Sequence, residues 1–175
     1  RREAVAALPA KGHEVDLCDL YAEGFDPVLT ADRRRNYHDV TKNREGLEDH
    51  VARLQAAEAL VVQFPTWCFG LPAMLKGWFD RLLMPGVAFD ISDPANVKPM
   101  LGHLRHIVGV STYGRQRWVA LYVGDPPRKV ITRYLPRLTS GRAKVQYHAL
   151  YHMNVATLDQ RQRFIQRVRG VMERL

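Results

Sequence analysis

The sequence predicts a single α/β domain, a parallel sheet with helices on both faces. Three observations carry that prediction. Leu60-Val61-Val62-Gln63-Phe64 is a short apolar run of the kind buried on both sides of a parallel sheet, and it stops at Pro65. A segment of helical period follows at once, from Leu71 to Met84. Strand-like and helix-like stretches then keep alternating to the chain end, as βαβ units do.

Taken in order, Arg1 to Pro9 reads as the end of a helix. Ala4, Val5 and Leu8 lie at helical spacing, and Pro9 to Gly12 supplies the break. His13 to Cys18 alternates polar and apolar and predicts a strand. Residues 19–43, with Gly24, Pro27 and a polar charged run, predict a long, partly irregular excursion. A helix is expected from about Arg44 to Ala57, carrying Leu47, Val51 and Leu54 on one face. The helix from Leu71 to Met84 has Pro72 near its first turn and Leu71, Leu75, Trp78, Phe79 and Leu82 along one side. Arg105 to Ser111 predicts a strand, Arg128 to Leu138 a short helix, and Lys144 to His152 a further strand with Val145, Tyr147, Ala149 and Tyr151 on one side. Thr157-Leu158-Asp159-Gln160 reads as a capping box. The final helix should bury Phe164, Ile165, Val168, Val171, Met172 and Leu175.

No repeat, low-complexity tract or linker divides the chain, so residues 1–175 are expected to form one domain. A doubly wound sheet of order 2-1-3-4-5 places a strand before such an opening helix, so the first strand is expected upstream of Arg1.

Composition narrows the function classes. The 46% hydrophobic and 25% charged residues are ordinary for a globular protein, and no apolar stretch is long enough to span a membrane. The start lacks the pattern of a signal peptide, which makes a cytoplasmic protein the expectation. Cys18 and Cys68 form no CxxC pair and are expected as reduced thiols. The net charge of +8 comes from scattered basic residues with no nucleic-acid motif, so nucleic acid is not expected as a partner. His148 with His152, and His103 with His106, lack the further ligands of a zinc site, so no metal is expected.

The richest segment is Gln63 to Pro72, which joins a buried strand to a helix, the place where open α/β sheets bind ligands. Helix-terminal amides there favour electron-rich oxygens. Trp67 and Phe69 offer walls to a flat ring, and Gly70 admits close backbone approach. The same aromatics could equally serve as ordinary core.

Resemblance separates those readings. FPTWCFGLPAMLKGWFD, from Phe64 to Asp80, closely resembles the flavin-loop-and-helix signature of the NAD(P)H:quinone oxidoreductase family. Asp19 to Leu29, DLYAEGFDPVL, resembles the stretch after that family's second strand, and Gln55 to Leu60 is similar to the approach to its third. The likeness is good over residues 13–90, looser over 105–125 and architectural beyond. It implies a flavodoxin-like three-layer sandwich and a homodimer with two sites at its interface. It also implies ping-pong hydride transfer, in which NAD(P)H reduces flavin N5, departs, and is replaced by a quinone or similar electrophile. FAD is the implied cofactor, with FMN the alternative.

Carried over by position, Pro65, Thr66, Trp67, Cys68, Phe69 and Gly70 should contact the flavin ring. Thr112, Tyr113 and Gly114 stand at the second flavin loop, where the family usually has TTGG. Phe89 and Ile91 match residues that cover the partner subunit's pocket. The mammalian members' Tyr and His of the second loop have no clear counterpart. Tyr113 and Tyr122 are the candidates for a catalytic role. Arg115 and Arg117 either offset negative charge in the pocket or bind the NADPH phosphate, or are simply solvated. A competing reading is a regulatory flavoprotein subunit of an ion-efflux system with little turnover of its own.

Overall fold

The computed structural model describes residues 2–9 and 12–175. Its sheet contains β1 (Ala59–Pro65), β4 (His106–Thr112) and β5 (Lys144–Leu150), all parallel, in the order β1-β4-β5. A separate antiparallel pair joins β2 (Phe89–Asp90) to β3 (Lys98–Pro99). The helices are α1 (Arg2–Ala7), α2 (Ala31–Asn36), α3 (Glu48–Ala56), α4 (Ala73–Leu82), α5 (Arg117–Tyr122), α6 (Pro126–Lys129) and α7 (Leu158–Met172).

Side chains alternate across the sheet as a pleat requires, and they feed two separate cores. Leu60, Val62 and Phe64 of β1, Ile107 of β4, and Val145 and Tyr147 of β5 face one cluster with α3 and α4. Val61, Val108, Val110 and Leu150 face the other, built with Ala7 of α1 and Phe164, Val168, Val171 and Met172 of α7. The molecule therefore has three layers, helix, sheet and helix. The predicted capping box is present: Thr157 accepts from the Gln160 amide, and the Gln160 side chain accepts from the Thr157 amide.

Several expectations need correction. His13–Cys18 is not a strand among the described residues. A strand needs a ladder partner, and among the described residues β1 pairs with β4 and none pairs with this segment. Its anchor is instead electrostatic, with Arg53 of α3 gripping Asp16 through two bonds of 2.7 Å. The helix expected from Arg44 starts at Glu48, because residues 40–46 are taken up in turns. The run predicted as one short helix splits into α6, a π-turn over Val130–Tyr134 and a 3-10 helix over Leu135–Thr139. Pro136 explains the change of register: it has no amide to donate back into an α-helical ladder. Strand β5 ends at Leu150, before His152 turns into the left-handed region at φ 57°. Ile165 is exposed rather than buried, lying off the face that α7 turns to the sheet. The short helix α2 lies within the partly irregular excursion, and α5 appears where a loop was expected. The Pro9–Gly12 break falls partly outside the described residues, as does the side chain of Ala4.

Gly77 fixes how α4 sits. A Cβ there would lie 2.2 Å from the Pro27 carbonyl oxygen and 2.4 Å from Pro27 Cβ, so backbone meets backbone with no room to spare. Beside it, Arg81 is buried against the Phe25 ring and donates to the Asp26 carbonyl. We expect Gly77→Ala to destabilise the protein by about 2–3 kcal/mol, since overpacking outweighs the roughly 1 kcal/mol that Ala gains in a helix. Urea unfolding of the two proteins side by side measures the difference.

Candidate active site at the carboxyl edge of the sheet

Register brings the loops together. Pro65 pairs with Thr112, and Thr112 with Leu150, so the chain leaves all three strands at one level. Thr66 then ties the first two loops: its amide and its hydroxyl both donate to the Thr112 carbonyl, at 2.9 and 3.0 Å. Both groups of Thr66 are spent on this tie, and the side chain acts as a clamp between loops.

Beyond Thr66 the chain makes a tight turn. Trp67 and Gly70 exchange hydrogen bonds of 3.2 and 2.7 Å, and between them Cys68 and Phe69 sit at φ 48° and 58°. Two consecutive positive φ values define a type I′ turn, normally the province of Gly, Asn and Asp. Each non-glycine residue held there costs on the order of 1 kcal/mol, a local strain of the kind that gathers at functional sites. The turn leaves the Cys68 and Phe69 amides at its tip without a partner among the described residues. It also holds the Trp67 ring 67% exposed. Pro72 gives α4 no side-chain cap, so the first-turn amides of that helix are open on the same edge. This set suits a planar, carbonyl-bearing ring: donors in a row, an aromatic wall, and a partially positive helix end.

The second loop behaves differently from expectation. The Tyr113 amide donates to the Leu150 carbonyl, and its carbonyl accepts from Met153. Its side chain turns inward, 1% exposed. The hydroxyl donates to Asp125 at 2.5 Å and lies 2.7 Å from the Tyr147 hydroxyl. Tyr113 therefore presents no free group to a ligand, which removes it as a catalytic candidate and as a side-chain contact. Gly114 and Arg115 keep open amides in the same loop, and Gly114 lies against the Asn154 side chain.

Sequence reasoning missed the network beneath this loop. Asp125 is 3% exposed, at φ 44°, where Tyr113 holds one oxygen and Tyr151 approaches the other at 3.5 Å. Tyr151 also stacks on Tyr113 with ring centroids 4.6 Å apart, and Arg128 lies over the Tyr147 ring. Burial, then donation to Asp125, pushes the Tyr113 phenol far above its ordinary range, and burial pushes Tyr147 up to about 12. These tyrosines stay protonated and act as fixed donors. The available signal was Gly124-Asp125-Pro126, a polar residue in a turn opening a helix, but its partners Tyr113 and Tyr151 lie 12 and 26 residues away.

The remaining expected residues scatter. Pro65 closes β1, and Thr112 closes β4. Arg115 and Arg117 are exposed and form no ion pair among the described residues. Tyr122 is 86% exposed at the end of α5, beside exposed Leu121 and a Trp118 ring 66% exposed. Phe89 and Ile91 are half-buried on the β2 side of the molecule, and Phe89 packs on the α3–α4 core.

Tyr113→Phe should cost about 1–3 kcal/mol of stability, because it leaves a buried Asp125 oxygen without its closest donor. Chemical unfolding measures this. A loss below 0.5 kcal/mol, the ordinary spread of surface substitutions, would show that the network carries little.

With the geometry described, comparison places the chain among known proteins. The sequence model of the flavodoxin-like fold matches residues 1–120. Rat NAD(P)H dehydrogenase [quinone] 1 is 36% identical over 108 residues, covering 51% of this chain and 38% of that protein. The chain thus spans well under two thirds of that relative. The NAD(P)H:quinone oxidoreductase of Methanothermobacter marburgensis has a similar fold, with a TM-score of 0.79 at 23% identity over 98% of this chain and 89% of that one. An FMN-dependent NADH-azoreductase of Bacillus anthracis, solved in complex with FMN, gives a TM-score of 0.67 at 13% identity, covering 99% and 88%. The chain belongs to the flavodoxin-like fold family, among relatives that include the NAD(P)H quinone oxidoreductases.

Proposed function

We propose that this chain is part of a flavin-dependent NAD(P)H oxidoreductase that reduces quinones or similar electrophiles in ping-pong order. The observation that carries the reading is the strained Trp67–Gly70 turn, with two unpartnered amides at its tip beside an exposed indole. A flavin bound there would supply the two-electron hydride chemistry that links a nicotinamide donor to a quinone acceptor.

The chain's own part is to hold and orient. The Cys68 and Phe69 amides, with those of Gly114 and Arg115, offer donors to the ring's oxygens and nitrogens. Trp67 gives one aromatic wall, and Thr66 keeps the two loops at fixed separation. Arg115 and Arg117 are uncommitted cations that favour anionic groups at the pocket mouth. FAD is the cofactor this reading favours. FMN is the alternative, and the FMN-bound Bacillus anthracis relative supports it.

A homodimer belongs to the proposal as well. Trp118, Leu121, Tyr122 and Val123 form a run of exposed apolar residues on and after α5. Such a run, together with the exposed Trp67, suits burial against a second subunit. Phe89 and Ile91 would then face the partner's site. No described helix is long and apolar enough to cross a membrane, and a cytoplasmic location completes the reading.

The test is the visible spectrum of the full-length protein, followed by cofactor extraction and NADPH oxidation with menadione. We expect flavin absorbance and steady turnover. Flavin bound firmly without turnover would favour the regulatory alternative, and failure to bind either flavin would sink the proposal. Trp67→Ala should weaken flavin binding roughly tenfold, the value of one aromatic contact, measured by quenching of flavin fluorescence.

A further inference from the structure

A second constellation lies away from the two loops. Cys18 Sγ is 3.7 Å from His50 Nδ1 and 3.6 Å from Glu23 Oε2. Among the described residues this is the one group of three or more Cys, His, Asp or Glu side chains whose ligand atoms converge, all lying within 4.8 Å of one another. From the geometry we infer that Cys18, Glu23 and His50 form a binding site for a borderline divalent transition ion, zinc foremost.

Distance is the first argument. Tetrahedral zinc with ordinary bond lengths to S, N and O sets its ligand atoms roughly 3.4–3.6 Å apart. Two edges of this triangle are already close to that spacing. The donor set is the second argument. A thiolate, an imidazole and a carboxylate suit zinc, and three protein ligands leave the fourth position to water or another small ligand. That position has access, since a cleft of about 570 Å³ opens beside the triad, lined by Glu23, Glu48, Asp49, His50 and Arg53.

Support around the ligands is the third argument. Glu23 Oε1 accepts from the Asp19 amide at 3.0 Å, and Oε2 accepts from Arg53 Nη1 at 2.9 Å. Arg53 is itself held by Asp16. Oε2 retains a further lone pair for an ion, so Arg53 becomes an outer partner of the kind that orients metal-bound carboxylates. The His50 ring is set edge-on against Phe25, with centroids 5.0 Å apart. Its Nδ1 would exchange a long 3.4 Å contact from the Trp78 indole for the ion. Charge also balances. Binding expels the Cys18 proton to solvent, and a thiolate with Glu23 neutralises the dication, while Asp16 offsets Arg53.

The inference does not rest on the flavin reading, and its test has its own readout. Chelator-treated full-length protein is titrated with Zn²⁺ against a chromophoric competing chelator, and with Co²⁺ in the absorption spectrometer. We expect one ion per chain and a thiolate-to-cobalt charge-transfer band. Cys18→Ser should abolish the band and weaken zinc at least tenfold, whereas Cys68→Ser should leave both intact. Cys18 is exposed, so metal-free melting of Cys18→Ser should match the parent and certify its fold. Absence of stoichiometric uptake against the chelator, or uptake that survives Cys18→Ser, or loss in Cys68→Ser instead, would overturn the assignment.

Discussion

Parallel pairing of β1, β4 and β5 in strict register is the constraint from which the rest follows. Because Pro65, Thr112 and Leu150 end their strands side by side, three loops must share one edge. The Thr66 clamp on the Thr112 carbonyl then converts neighbouring loops into a single unit. Of the three strands only the central β4 is buried on both faces, but alternate side chains of all three feed separate cores, so a register slip would move whole side-chain sets between two different cores. The site inherits its precision from that penalty.

The second loop illustrates how the interior can serve a surface. Tyr113 spends its amide, carbonyl and hydroxyl on internal partners, and the buried Asp125 accepts from Tyr113 and Tyr151 while Tyr147 bonds to Tyr113. A carboxylate in such surroundings is tolerable only when its hydrogen bonds are met. The result is a braced floor under Gly114 and Arg115, whose amides have no partner among the described residues. Rigidity on one side of the site is matched by strain on the other, where Cys68 and Phe69 hold left-handed backbone.

How legible this was in the sequence depends on the range of the interactions. The β1–α4 unit could be read directly, since an apolar run, a proline stop and a helical stripe are all local. Trp67 and Phe69 announced the turn by residue type, although nothing local required positive φ at Cys68. Tyr113 looked like a site residue by position, yet its side chain lies inside. Helix α5 was missed because RWVALY is only six residues long and apolar almost all round, which leaves no periodic stripe to read. His13–Cys18 had the alternation of a strand but no partner to complete a ladder among the described residues. The Cys18, Glu23 and His50 cluster escaped notice because His50 is 32 residues from Cys18 and belongs to another element.

The sequence by itself determined the α/β class, the place of the strand Leu60–Phe64, the capped final helix and the loop in which the chemistry is expected, but not that Gln63 of that strand is exposed. Those features rest on periodicity, caps and turn residues, all of which act over a few positions. Only the tertiary structure decided which side chains meet: Thr66 with Thr112, Tyr113 with Asp125, Cys18 with His50. Such meetings depend on strand order and helix packing, where a contact between distant residues leaves no trace in either one's neighbourhood.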